Sequence, residues 1–66
     1  MDVTINGKQR TISDGETVLK MLETLHVAPE GVIVEHNGHI LKRPSFGDAR
    51  IASGDRLELI QIVGGG

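Results

Sequence analysis

The chain contains no cysteine, and at its length this constrains the fold more than any other feature. Domains of this size often rely on disulfides or a bound metal. Without cysteine there is no disulfide, no Cys-based zinc site, no iron–sulfur cluster and no thiol nucleophile. The chain has 66 residues, one small domain that buries only about 60% of the surface its unfolded form exposes. Composition removes further classes. Phe46 is the one aromatic residue, whereas a base-stacking platform needs several aromatic faces. The net charge of −2 opposes phosphate binding, which needs a basic surface. No nucleic-acid partner is therefore expected. No apolar run approaches a membrane span, and no basic stretch followed by an apolar run opens the chain as a signal peptide would. The expectation is a soluble, cytoplasmic protein. Glycine is in excess: nine residues, three of them at positions 64–66.

Asp2-Val3-Thr4-Ile5 alternates with period two and predicts a strand. Asn6-Gly7 follows, the strongest short hairpin signal, because a type I′ turn needs positive φ at both central residues. Lys8 to Ile12 is the return strand. A two-residue loop sets Ile5 opposite Lys8, Val3 opposite Arg10 and Met1 opposite Ile12. Arg10 then has inward parity. Its methylene stem is expected along the core edge with the charge in water, unless a longer loop shifts the register.

Ser13-Asp14-Gly15-Glu16-Thr17 is turn and cap chemistry. Ser13 with Glu16 fits a capping box, but Thr17 stands immediately before the apolar run and is the better placed N-cap. Val18, Leu19, Met21, Leu22 and Leu25 recur at helical spacing, which predicts an amphipathic helix of about two to three turns. Pro29 and Gly31 are expected to stop it.

Val32-Ile33-Val34 is a β-branched run and predicts a buried strand. Asn37-Gly38 gives a second turn into a short Ile40-Leu41 strand. Pro44 to Ala52 reads as irregular, anchored by Phe46 and Ile51. Ser53-Gly54-Asp55 is a turn, and Arg56 to Ile62 is the last strand. Leu57, Leu59 and Gln61 share one of its faces; Glu58, Ile60 and Ile62 share the other. One helix covers only one face of a sheet, and its return crossover suits parallel or mixed pairing. The fold expected is a compact α+β roll with Val3, Ile5, Val18, Leu22, Leu25, Val32 or Ile33, Val34, Leu57 and Leu59 inward.

The last strand runs straight into Val63-Gly64-Gly65-Gly66. Fully extended, these four residues reach roughly 13 Å. A glycine tail enters narrow channels because it has no Cβ. The reactive group at its tip is the α-carboxylate of Gly66. A carboxylate is a poor acyl donor, since oxide is a bad leaving group, so using it requires activation, for example as a mixed anhydride with AMP. A frayed terminus or an appended scar is the plain alternative. The tail continues a strand without a polar linker, which favours a working end.

The whole chain resembles the β-grasp sulfur carriers of the ThiS/MoaD family, most closely its thiamine-biosynthesis branch. The residues that carry the resemblance are Ile5-Asn6-Gly7, then Gly15-Glu16-Thr17-Val18 running on to Met21-Leu22. Val34-Glu35-His36-Asn37-Gly38 with Ile40-Leu41 and Arg43 come next. Ser53-Gly54-Asp55-Arg56-Leu57-Glu58 and the closing Val63-Gly64-Gly65-Gly66 complete it. The resemblance implies a ubiquitin-like β-grasp domain over residues 1–62, a mixed four- to five-stranded sheet with one main helix, and a flexible tail over 63–66. It implies a carrier, not an enzyme, with no catalytic side chain and no bound cofactor or metal. A ThiF-like adenylyltransferase, using ATP and magnesium, would adenylate Gly66. A cysteine desulfurase-derived persulfide would supply sulfur, leaving a C-terminal thiocarboxylate. A ThiG-like thiazole synthase would take that sulfur for thiamine. With no cysteine, transferable sulfur can ride only on the terminus, and the chain has no phosphate loop of its own. The carrier is expected to be a monomer when free.

Ile60, Ile62 and Ile33 lie on the strand face that one helix cannot cover, and with Val63 they form the expected docking patch. The competing expectation is that the segment from Lys42 to Ala52 folds over them. His36 and His39 flank a turn, but no third ligand accompanies them, and exposed turn residues are the simpler reading. His26 is expected to complement the helix dipole. Asp14 and Glu16 read as helix-start residues, and Lys42-Arg43 as a solvated or docking pair. Two rival readings remain: a molybdopterin synthase small subunit, or a non-carrier module such as a TGS-type domain or a ubiquitin-like modifier.

Overall fold

The computed structural model describes residues 1–63; the tail glycines Gly64, Gly65 and Gly66 lie outside the described residues. Strands β1 (Asp2–Ile5) and β2 (Lys8–Thr11) precede helix α1 (Val18–Thr24), and strands β3 (Val32–His36), β4 (His39–Leu41) and β5 (Arg56–Gln61) follow it. The five strands form one sheet in the order β2-β1-β5-β3-β4. β5 lies between β1, which it pairs in parallel, and β3, which it pairs antiparallel. This is the mixed sheet with one helix that the sequence pattern and the resemblance implied.

Both Asn-Gly pairs make two-residue turns. Asn6 and Gly7 have φ of 51° and 80°; Asn37 and Gly38 have 52° and 86°. The first turn sets Ile5 opposite Lys8 and Val3 opposite Arg10, with no register shift. Met1 and Ile12 exchange backbone hydrogen bonds of 2.7 and 2.9 Å, extending the ladder by one pair. Arg10 is exposed on the helix side of the sheet, where it borders a groove with Met21 and Leu25.

The same asparagines also hold β5. Pairing of β1 with β5 covers only Thr4 with Arg56 and Ile5 with Leu57. Beyond it, Asn6 Oδ1 accepts the Leu59 N–H at 2.7 Å, so a side chain continues the ladder where the backbone turns away. Asn37 Oδ1 accepts the Arg56 N–H at 2.8 Å, and the Asn37 N–H donates to the Arg56 carbonyl at 2.8 Å.

Thr17 is the N-cap of α1, its Oγ1 accepting the Lys20 N–H at 3.2 Å. Ser13 instead accepts the Glu16 N–H on its carbonyl, closing a turn. The end of α1 corrects the sequence reading. Pro29 and Gly31 form a separate 3₁₀ turn further on. The helix stops earlier, where His26 adopts φ of 60°. Its N–H bonds the Glu23 carbonyl at 3.1 Å and that of Val27 bonds the Leu22 carbonyl at 2.9 Å. This is a Schellman motif, usually closed by glycine. His26 thus stands past the last turn as its left-handed residue.

The core comprises Val3, Ile5, Val18, Met21, Leu22, Val32, Val34, Phe46, Ile51 and Leu57. Val32, not Ile33, faces inward. Leu25 and Leu59 are only partly buried against the cluster, because they stand at its open end. Met21 takes a central place that the expected inward set lacked. The segment after β4 lies on the helix side: the Leu19 N–H bonds the Phe46 carbonyl and the Val18 N–H bonds that of Ala49, each at 2.9 Å. β5 ends at Gln61, one residue before the expected Ile62, although the Ile62 N–H still donates to Gly31 at 2.8 Å.

A left-handed conformation costs a non-glycine residue about 1–2 kcal/mol. His26→Gly should therefore stabilise the domain by up to about 1 kcal/mol, part of the gain being offset by the greater freedom of unfolded glycine. In thermal unfolding this reads as a rise of about 4–8 °C at the upper limit.

Candidate functional site: the open sheet face

Register assigns every strand residue to a face. Val3, Ile5, Leu57, Val32 and Val34 point to α1. Asp2, Thr4, Arg56, Glu58, Ile60, Ile33, Glu35 and Ile40 therefore point the other way. Among the described residues no segment covers this face. Phe46 and Ile51 draw the long segment after β4 to the helix side, so it does not act as the cover considered for the docking patch.

The open face divides in two. Near the β1–β2 hairpin it is polar: Asp2 accepts from Thr11 Oγ1 at 2.8 Å and from Gln9 at 3.3 Å. Toward the end of β5 it is apolar. Ile33 stands directly opposite Ile60, and they are 39% and 49% exposed. Ile62 is 58% and Val63 92% exposed. These are the four residues of the expected patch. The structure adds Ile40, 69% exposed and paired with Glu35 on β4. Its parity was legible, since a two-residue Asn37-Gly38 turn sets His36 against His39 and Ile40 against Glu35. β4 has three residues against five in β3. The shortfall leaves a hollow of about 350 Å³ lined by Ile33, Ile40, Ile62, Phe46, Arg43 and Glu30 among others. Arg43 thus lies at the apolar patch; Lys42 is exposed beside it. Between the polar and apolar halves, Glu35 and Glu58 face each other across β3 and β5.

The other sequence candidates are structural. His36 and His39 are cross-strand partners, yet the described residues hold no group of three metal-ligating side chains. His36 instead donates from Nε2 to Asp55 Oδ2 at 2.6 Å. The same oxygen accepts the Ala52 N–H at 2.8 Å, and Oδ1 accepts Asn37 Nδ2 at 3.0 Å. Burial pushes the Asp55 carboxyl up, but the bonds from Ala52, His36 and Asn37 together outweigh it and hold the group below its ordinary value. Asp14 pairs with the N-terminal ammonium at 3.0 Å. Glu16 is half-buried beside the helix start, with one oxygen, Oε2, buried and without a hydrogen-bond partner.

A mixed five-stranded sheet that grips one helix on one face and bares the other is the β-grasp arrangement. The model of the ThiS family matches residues 3–66, and the chain belongs to that family. A crystal structure of the thiamine biosynthesis protein ThiS from Geobacter metallireducens is similar at 38% identity and a TM-score of 0.87, covering all of both chains. A solution structure of a thiamine biosynthesis protein from the same organism is 39% identical, with a TM-score of 0.79 over all of this chain and 88% of that one. Two proteins named thiazole synthase match the whole chain, at 36% identity in Paramagnetospirillum magneticum and 32% in Magnetococcus marinus. The chain spans 20% of the length of these curated relatives.

Because its folded pKa is depressed, Asp55 contributes stability above its ordinary value of 3.8, and that contribution disappears as pH falls through the folded value. Asp55→Asn should cost about 1.5–3 kcal/mol at neutral pH. Unfolding measured from pH 7 downward should show the gap between wild type and variant narrowing once the pH drops under the ordinary carboxylate range. A gap that stays constant to the lowest pH would show that the ionised carboxylate is not what ties the β3–β4 turn to β5.

Proposed function

We propose that this chain is a sulfur carrier of thiamine biosynthesis that acts through the α-carboxylate of Gly66 and has no catalytic side chain of its own. The observation that carries the reading is the ThiS-family match over residues 3–66, in a chain whose central strand leads from an exposed isoleucine patch directly toward the three glycines. Residues 1–62 act as the folded body and 63–66 as the working tail. Gly64 and Gly65 supply a segment without Cβ atoms, suited to a narrow channel.

The chemistry follows from what a carboxylate needs. A ThiF-like adenylyltransferase binds ATP and magnesium, and a carboxylate oxygen of Gly66 attacks the α-phosphorus, releasing pyrophosphate. The acyl adenylate now has a good leaving group. The terminal sulfur of a persulfide, charged through a cysteine desulfurase, attacks the carbonyl carbon and AMP departs. A second thiol then takes the donor's sulfur as a disulfide and frees the thiocarboxylate. Because a thiocarboxylic acid is far more acidic than a thiol, the product is ionised and nucleophilic at neutral pH, as thiolates are. A ThiG-like thiazole synthase accepts the sulfur. The two relatives named thiazole synthase support that acceptor over molybdopterin synthase: a stretch similar to this chain makes up a fifth of each. Parts joined in one polypeptide meet at high effective concentration.

Docking is assigned to Ile33, Ile60, Ile62 and Val63. An exposed cluster of large apolar residues beside the outgoing strand suits a partner that must receive the tail. The free protein is taken as a cytoplasmic monomer.

Intact-mass analysis of the chain ending at Gly66, incubated with adenylyltransferase, ATP and a charged sulfur donor, should show one terminal oxygen replaced by sulfur. An unmodified mass with all components active would refute the carrier reading. Deleting Gly66 should abolish the modification and leave thermal unfolding nearly unchanged. Ile60→Asp should fold normally, since the site is half exposed, and lose adenylation. Retained adenylation would remove the patch from the reading.

A further inference from the structure

Glu35 on β3 and Glu58 on β5 stand directly opposite each other on the open face. Directly opposed side chains have Cβ atoms about 5 Å apart, and like charges at that position destabilise the sheet. A cation between them would reverse the sign. Among the described residues neither carboxylate is in an ion pair. Arg56 shares the face two residues before Glu58 and reaches neither of them as an ion pair. The free domain thus carries two like charges at one cross-strand position with no cation paired to either, and local conflicts of this kind concentrate at functional positions.

The neighbours of the pair narrow what would satisfy it. The next cross-strand pair is Ile33 with Ile60, and Ile40 is Glu35's partner on β4; all three isoleucines are exposed. The occupant must therefore be apolar over the isoleucines and cationic over the carboxylates. A lone metal ion meets only the second requirement, and an anionic surface meets neither. A second copy of this chain, docked through the same face by two-fold symmetry, would bring a second carboxylate pair into the same small interface. A protein surface bearing an arginine meets both requirements. Its stem lies along apolar side chains, and its planar guanidinium offers five donors, enough for two carboxylates at once.

We infer that the Glu35–Glu58 pair is the receptor for an arginine of the adenylating partner, whose apolar surround seats on Ile33, Ile40 and Ile60. This rests on the reading of the open face as the docking surface. Ion pairing formed only in the complex gives specificity and a fast, salt-sensitive encounter.

The test uses a ThiF-like adenylyltransferase with ATP as the probe, titrated with the full chain carrying Glu35→Gln and Glu58→Gln together, and separately with Ile60→Asp. The double variant should unfold at a higher temperature than wild type, bind roughly tenfold or more weakly, and lose most of the salt dependence of binding. Wild-type affinity in the double variant, with binding lost in Ile60→Asp, overturns this inference and leaves the docking face standing. Normal binding by both variants removes the docking face itself. A lower unfolding temperature in the double variant also overturns the inference, because the carboxylates would then be holding the fold. A change in self-association would assign the pair to contact between copies.

Discussion

One helix covers one face of a five-stranded sheet, and the consequences of that inequality run through the whole molecule. The core forms on a single side, where alternate residues of β1, β3 and β5 meet Val18, Met21 and Leu22. The long segment between β4 and β5 is the one part of the described chain with enough length to shield the second face. Burial of Phe46 and Ile51, each 2% exposed, commits it to the helix side. Large hydrophobic side chains contribute about 1.5–3 kcal/mol each when fully buried. In a domain whose total stability is of order 5–15 kcal/mol, that preference decides where the segment goes. The isoleucines of the open face stay bare as a result.

β5 turns this asymmetry into a device. It is central in the sheet, paired with β1 at its start and with β3 from Leu57 to Gln61, and it presents Leu57 to the core and Ile60 to solvent. The two Asn-Gly turns lock it from opposite edges, Asn6 at Leu59 and Asn37 at Arg56. Those turn residues need positive φ, which asparagine tolerates better than other non-glycine residues. Asparagine also carries both a donor and an acceptor, which glycine does not. Ile60 and the residues that lead toward the tail therefore follow one strand held from both sides, and Ile33 is set beside Ile60 by the β3–β5 register.

Much of this is legible in the amino-acid sequence. The Asn6-Gly7 signal sets the first hairpin register, and period-two parity puts Ile60 and Ile62 on the face away from the helix; whether Val32 or Ile33 turns inward stays open until the structure buries Val32. Other features depend on information that a local pattern does not carry. The helix stop at His26 was hidden because the left-handed closing residue of a helix is usually glycine, and histidine gives no such signal. Pro29 and Gly31 drew attention as breakers, although the chain had already turned three residues earlier. Met21 lies on the same helical stripe as Val18 and Leu22, and periodicity alone does not rank these residues by depth. The place of Ile40 on the open face follows from the two-residue Asn37-Gly38 turn together with the β3–β4 register. The side on which the segment after β4 packs is a tertiary choice made by Phe46, and no periodicity encodes it.

On the proposed reading the domain would bind and then leave more than one enzyme, and the open face suits that requirement. Interfaces that hold permanently are large and resemble a domain core cut in half. Here the exposed apolar residues are few, spread over one end of a small sheet and bordered by carboxylates. Such a surface gains little from area alone. If it docks as proposed, its selectivity would come from charge matched across a short distance, which raises encounter rates and rejects wrong partners more than it deepens affinity. The missing cysteine belongs to the same logic. A reactive thiol on the body would compete with the terminus for sulfur and for disulfides, whereas this body offers no such group. On the proposed reading the body is a platform with one open face, and the partners would supply the nucleotide, the metal and the thiols.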